Sequence, residues 1–207
     1  MRYDICIFLL LTCLHLTAFA KEKKQSKTGS YLHKTTLRAD VLNAGIGMPP
    51  HFVNGRLHPG IQLGLQKSFR NQPKISHGDY TFHLGYFAQQ SLQRAFYLKP
   101  GIGYSIHLYK KINIRPMLNL SLMAVQQIND EFALNAQGEY EQVKKMRFQI
   151  MPSLGLEVAV PVAHSKRYKY DATLGYEFGM QLPFSVISSV LPINQLHFGV
   201  AISSFKK

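Results

Sequence analysis

The sequence predicts an all-β protein, an antiparallel up-and-down β-barrel that crosses a membrane, with eight strands and ten as the alternative count. Three observations carry that prediction. Apolar residues recur with a period of two through most of the chain, the opposite positions are small or polar, and the connections differ in length from one end of the barrel to the other. The clearest stretch runs from Phe96 to Ala124. Phe96, Leu98, Pro100, Ile102, Tyr104, Ile106 and Leu108 form one column and Tyr97, Lys99, Gly101, Gly103, Ser105 and His107 the other. After Tyr109-Lys110-Lys111 the rhythm resumes, with Ile114, Pro116, Leu118, Leu120 and Leu122 against Arg115, Met117, Asn119 and Ser121. Side chains alternate across a strand but recur about every 3.6 residues on a helix, so this is a hairpin of two long strands.

Taken in order, the chain opens with an apolar run from Ile5 to Leu16, preceded by Arg2 and followed by Ala18-Phe19-Ala20. That is the pattern of a secretory signal over residues 1–20, cleaved after Ala20. The run is shorter than the ~20 apolar residues that a spanning helix requires. A lipoprotein leader with its attachment at Cys13 is the alternative, but Leu11-Thr12 lacks the small residue expected ahead of the cysteine. Both cysteines, Cys6 and Cys13, lie in the leader, so the exported protein is expected to hold neither a disulfide nor a thiolate ligand. Residues 21–35 are rich in Lys, Ser and Thr and read as a flexible basic arm. The 207 residues carry a formal net charge of +13. That sign suits nucleic acid or an anionic membrane surface, and export selects the membrane, so no nucleic-acid partner is expected.

Residues 36–207 form the barrel domain, with strands read at 36–47, 57–69, 80–89, 96–109, 114–125, 147–160, 170–179 and 196–205. The count rises to ten if the arm or residues 180–195 add strands. Pro59, Pro100, Pro116 and Pro152 share the face of the large apolar residues. Proline donates nothing to a ladder, so these positions belong at strand ends or at local breaks. The polar column carries Gly64, Gly85, Gly101, Gly103, Gly155, Gly175 and Gly199 with scattered Gln, Ser and Asn. A water-facing column would be dense in Lys, Glu and Thr. Small residues suit the crowded inside of a narrow barrel, and an almost unbroken column of Leu, Ile, Val, Tyr and Phe suits lipid contact. A soluble periplasmic lipid-binding barrel is the alternative at the level of the fold.

If the first strand runs outward, the connections 48–56, 90–95, 126–146 and 180–195 lie at the outer end, and 70–79, 110–113 and 161–169 at the inner end. The inner end then holds a basic collar that includes Lys110, Lys111, Lys166, Arg167 and Lys169, suited to anionic headgroups. Pairing the third and fourth strands about 90–95 sets His83 opposite Ile102 and His107 near Gly78.

Over Thr36 to Lys207 the chain resembles the small eight-stranded outer-membrane barrels of Gram-negative bacteria, the OmpA-like and OmpX-like group of the porin-like superfamily. The resemblance rests on the signal pattern, the alternating strands and the final strand. There His197, Gly199 and Ile202 are similar to the assembly signal read by the barrel-insertion machinery, while Ser204 stands where a large apolar residue is usual. It implies an outer-membrane location, with outer-membrane lipids and the insertion machinery as partners. Members of the group range over adhesins, tethers and lipid-modifying enzymes, so the fold does not fix the function.

The polar residues expected in the barrel interior are Arg38, His83, Lys99, Arg115, Glu157, Asp171 and Glu177, with His107 and His197 at inward or end positions. Charges inside a small barrel must be paired, and Asp171 and Glu177 are expected to pair with Arg38, Lys99 and Arg115. No His-x-Ser neighbourhood like that of the lipid A deacylases is present, so no catalytic residue is assigned. No zinc signature occurs, and neither cofactor nor metal is expected. Asp130, Glu131, Phe132, Glu139, Tyr140 and Glu141 in the long connection 126–146 form the candidate surface for a ligand not identified by the sequence. The expected role is structural or surface-interacting. A lipid-modifying enzyme acting on lipid A acyl chains, or a narrow solute channel, is the alternative.

Overall fold

A computed structural model describes residues 33–47, 57–69, 76–108, 112–135, 137–143, 145–165, 167–185 and 189–205. The expected leader, most of the arm, and Lys110, Lys111 and Lys166 of the expected collar lie outside the described residues. The strands are β1 (His33–Ile46), β2 (Pro59–Ser68), β3 (Ser76–Gln89), β4 (Gln93–Leu108), β5 (Ile112–Gln127), β6 (Phe132–Leu134), β7 (Tyr140–Gln142), β8 (Met146–His164), β9 (Tyr168–Gln181) and β10 (Leu191–Phe205). Eight of them close into one antiparallel barrel in which each strand lies beside its neighbours in the chain and β10 pairs back onto β1. The pair β6–β7 forms a separate hairpin in the β5–β8 connection and adds nothing to the wall, so the barrel count is eight.

The strands run past the ends that apolar alternation marks. β10 begins at Leu191 instead of 196, and β8 reaches His164. Alternation stops where a wall leaves the apolar belt, whereas the hydrogen-bonded ladder continues through polar residues such as Gln89, Gln93 and Gln127. The β3–β4 connection is therefore the tight turn 90–92, closed by Leu92 N donating to Gln89 O at 3.0 Å. This corrects the expected register. His83 lies opposite Lys99, and Gly78 opposite Tyr104. Directly opposed residues share a face, so His83 against Ile102 would have forced a histidine into lipid or an isoleucine into the lumen.

Outward positions carry large apolar side chains that a water-soluble protein would bury: Leu63 and Phe96 are each 65% exposed, Leu154 65% and Phe148 87%. Among the described residues, no charged side chain points outward between Arg94 at one end of the wall and Lys67 at the other. Aromatic residues gather near both boundaries, with Tyr86, Phe96 and Phe148 towards one and Tyr80, Tyr104 and Tyr168 towards the other. The inward positions hold the polar residues, so the arrangement is that of a membrane-spanning barrel.

The prolines sit where the ladder allows them. Pro59 opens β2. The β4–β5 register passes from Leu98↔Leu122 to Gly101↔Asn119 across Pro100, and from Gly103↔Met117 to Ile106↔Ile114 across Pro116. The β8–β9 register begins at Ser153, just after Pro152. Each proline keeps its pairing on one side and faces a break on the other.

The inward glycines sit across the ladder from the bulkiest polar groups. Gly64 lies opposite His83, Gly85 opposite Tyr97 and Gly199 opposite Asp40. A methyl group at Gly64 would overlap the His83 ring, and one at Gly199 would meet both the Asp40 carboxylate and the backbone oxygen of Ala39. Gly199→Val should therefore destabilise the barrel by roughly 1–3 kcal/mol. The heat-modifiable gel band of the folded barrel should be lost at a lower temperature than in the wild type. Gly45→Ala, whose new methyl would have only a backbone oxygen 4.0 Å away, should leave that temperature unchanged.

Candidate functional site

The lumen is layered, and its middle layer is ionic. Strand alternation turns Arg38 of β1, Arg115 of β5 and Lys99 of β4 inward, and each is buried. Asp40, Glu157 and Glu177 bring three carboxylates to these three cations. Arg38 donates to Glu157 Oε1 at 3.0 Å, and its second terminal nitrogen contacts Glu157 Oε2 to make a bidentate pair. Arg115 donates to Glu157 Oε2 at 3.2 Å. Lys99 Nζ donates to Glu177 Oε2 at 2.8 Å, and Ser153 Oγ donates to Glu177 Oε1 at 2.5 Å. Asp40 accepts from Gln62 Nε2 at 2.9 Å and from Thr173 Oγ1 at 3.1 Å, with Arg38 3.7 Å away. Gln62 also meets His197 Nδ1 at 3.1 Å and accepts from the Tyr97 hydroxyl at 3.0 Å, which joins the two ionic groups.

All of the expected interior set but Asp171 comes together in this layer, with different partners for some members. Glu157, not Asp171 or Glu177, takes both arginines. Asp171 lies nearer the mouth at the β8–β9 turn and pairs with Lys169 at 2.8 Å. Lys169, between Tyr168 and Tyr170, turns towards the lumen at that mouth, where Asp171 pairs with it. Arg167 is exposed in the short β8–β9 turn. His83 is buried opposite Gly64 and makes no hydrogen bond through either ring nitrogen. His107 stacks on His77 at a centroid distance of 5.2 Å, and His77 in turn contacts Asp79 at 3.2 Å. Gln62, Ser153, Thr173 and Tyr97 are members of the ionic layer that charge counting misses. Their inward parity was the only signal for them.

Towards the β3–β4 end the lumen is filled by Leu42, Ala44, Phe87, Met123, Val125, Met151 and Ile193, capped by Gln89, Gln93, Gln149 and Gln181 hydrogen-bonded to one another. The space left within the ionic layer is about 10 Å³, room for one water at most. Ser153 and Thr173 donate to the Glu177 and Asp40 carboxylates, not to a histidine. Among the described residues no three His, Cys, Asp or Glu side chains converge in a way that could hold a metal ion.

The second candidate region is the β5–β8 connection. Asp130 and Glu131 of the expected partner surface are ties: Lys145 contacts Asp130 at 2.8 Å and Arg147 contacts Glu131 at 2.5 Å. Hydrogen bonds from Lys145 and Gln142 hold the Asp130 carboxyl below the usual carboxylate range. Asn129 Nδ2 donates to Ser91 O at 3.0 Å, which fastens the base of the connection to the β3–β4 turn. Above these ties stands the β6–β7 hairpin. Its turn is held by Asn135 Oδ1, which accepts from Gln137 N at 3.0 Å and Glu139 N at 2.9 Å, and Gly138 takes the left-handed φ of 80° there. Phe132 and Leu134 of β6 and Tyr140 of β7 share one face and are 57%, 62% and 78% exposed. Leu134 was not among the expected residues; only the short alternation of β6 reveals it. Glu141, paired with Ala133, lies on the opposite face, and Glu139 stands in the turn just before β7.

The ionic layer sets an energetic test. Lys99→Met would leave Glu177 buried with its strongest partner gone, at a cost of about 3–5 kcal/mol. The double variant Lys99→Met/Glu177→Met should recover most of that loss, because neither charge then stays unpaired. Urea unfolding in detergent micelles, followed by circular dichroism, measures both.

No family model matches the sequence, and no curated protein matches it. Solved structures match it at low identity. Neisserial surface protein A is 11% identical, with 82% of this chain and 96% of that one covered and a TM-score of 0.46. The attachment invasion locus protein Ail of Yersinia pestis, solved with the heparin analogue sucrose octasulfate, is 10% identical over 83% of this chain and 99% of its own, with a TM-score of 0.46. The N-terminal β-barrel domain of Pseudomonas aeruginosa OprF is 10% identical over 83% and 98%, with a TM-score of 0.37. These are small outer-membrane β-barrels, and the likeness is one of fold.

Proposed function

We propose that this chain is an outer-membrane protein of a Gram-negative cell, exported by a leader over residues 1–20 that is then cleaved, and that its barrel is a rigid stalk displaying the β6–β7 hairpin to a macromolecular partner outside the cell. The observation that carries this reading is the hairpin's exposed face of Phe132, Leu134 and Tyr140. A surface hairpin gains nothing by holding three large apolar side chains in water on a braced turn, whereas aromatic anchors in a polar surround are what binding interfaces use. Glu139 at the turn and Glu141 on the reverse face give the hairpin negative charge, which favours a basic partner. The filled ionic lumen supports a structural role for the barrel itself, against a solute channel and against acyl chemistry inside it. His197, Gly199 and Ile202 of β10 would serve the insertion machinery during assembly.

The topology can be tested directly, because the exported chain would hold no cysteine of its own. Asn135→Cys should react with an impermeant thiol reagent on intact cells, and Arg167→Cys only after the outer membrane is opened. The reverse pattern would point the hairpin into the periplasm and remove it as a surface site. Mass spectrometry of lipid A from cells with and without the protein should give the same acyl pattern. A changed pattern that the wild-type chain restores would replace the displayed-hairpin reading with an enzymatic one.

A further inference from the structure

We infer that the outer wall carries a binding site for a phosphate-bearing acylated lipid, with Arg94 gripping the phosphate and an acyl chain seated over Ala124 between Phe96 and Phe148. The site follows from the register of β4, β5 and β8. Arg94, Gln126 and Met146 form one outward row, Phe96, Ala124 and Phe148 the next, and Leu98, Leu122 and Ile150 the third. The middle residue of the second row is an alanine in a wall of large side chains, and it leaves a notch flanked by two phenyl rings. Together with the rows below it, that notch belongs to an apolar groove of about 1000 Å³.

Arg94 stands at the head of this groove. It is exposed, it points outward, and among the described residues no carboxylate pairs with it. Its nearest outward neighbours across the ladder, Ala88 and Gln126, are uncharged. A guanidinium at the edge of the hydrocarbon needs an anion or water, and its planar fork matches a phosphate through two parallel hydrogen bonds. The row order sets a cation above a chain-wide apolar slot, which is the order of headgroup and acyl chain in a leaflet. Lys67, the outward cation at the other end of the wall, instead has Tyr80 opposite it.

This inference rests on the barrel's membrane setting, so each variant is first checked for the heat-modifiable gel band that reports a folded barrel; loss of that band in the wild type would sink the barrel reading itself. The full chain in detergent micelles is then offered equal amounts of phosphatidic acid and diacylglycerol with identical chains, and retained lipid is read by native mass spectrometry. The wild type should retain phosphatidic acid about fivefold over diacylglycerol, the ratio that follows from about 1 kcal/mol per interfacial basic residue. Arg94→Gln should bring the ratio near one. Ala124→Leu, which fills the notch without touching the cation, should lower retention of phosphatidic acid, and Lys67→Gln should leave the ratio as in the wild type. An unchanged ratio in Arg94→Gln, retention unaffected by Ala124→Leu, or an equal loss in Lys67→Gln would overturn the site.

Discussion

Closure of the sheet is the constraint on which everything else in this molecule depends. Hydrocarbon offers no water to an unpaired backbone N–H or C=O, so a wall of strands is stable there only when its last strand returns to its first. The β1–β10 seam does this in an unbroken register from Thr36↔Ser203 to Ile46↔Ile193. Asn194 adds a bond to the Gly47 carbonyl where β1 ends. With the edges abolished, each strand has one face in lipid and one in a lumen only wide enough for its own side chains. The glycines opposite His83, Tyr97 and Asp40 are the consequence: across so narrow a bore, a bulky polar group needs an empty position facing it.

The filling of that lumen is ionic in the middle and apolar beyond it, and the ionic part is weak evidence for stability. Taking charges out of water costs several kcal/mol each, and good pairing returns roughly that amount. What the charges do supply is register. A slip of one residue would turn the charge of the slipped strand, Arg38 of β1, Lys99 of β4, Arg115 of β5, Glu157 of β8 or Glu177 of β9, outward into lipid and leave its partner unpaired in the lumen, and both are costly. An apolar filling would tolerate such a slip far better, because its residues resemble those of the outer wall.

The barrel and its β5–β8 connection divide the work. Lys145, Arg147 and Asn129 brace the connection against itself, the barrel rim and the β3–β4 turn. The braced base leaves the β6–β7 hairpin clear of the wall with its apolar face uncovered. A rigid scaffold carrying variable chemistry in its connections is how one fold serves many roles, and here the distinctive residues sit in the hairpin and along the rim.

The strands, their faces and the end at which the long connections gather were legible in the amino-acid order, because period-two alternation is a local property that each strand states for itself. Less was legible where alternation fades. Leu191 to Gln195 of β10 and Gln93 to Ala95 of β4 read as loop, since a ladder can continue through residues that no longer distinguish lipid from lumen. Partnership was the least legible. Arg38 and Glu157 are separated by 119 positions, and both face the lumen for reasons local to their own strands. Asp171 carries the same inward signal as Glu177, yet one meets Lys169 at the mouth and the other Lys99 in the middle layer. The sequence alone therefore determined which residues face inward and that their charges must be paired. Only closure of the barrel, by setting the height of each strand against the next, decided which charge meets which, because height is a sum of registers around the whole wall and no single strand contains it.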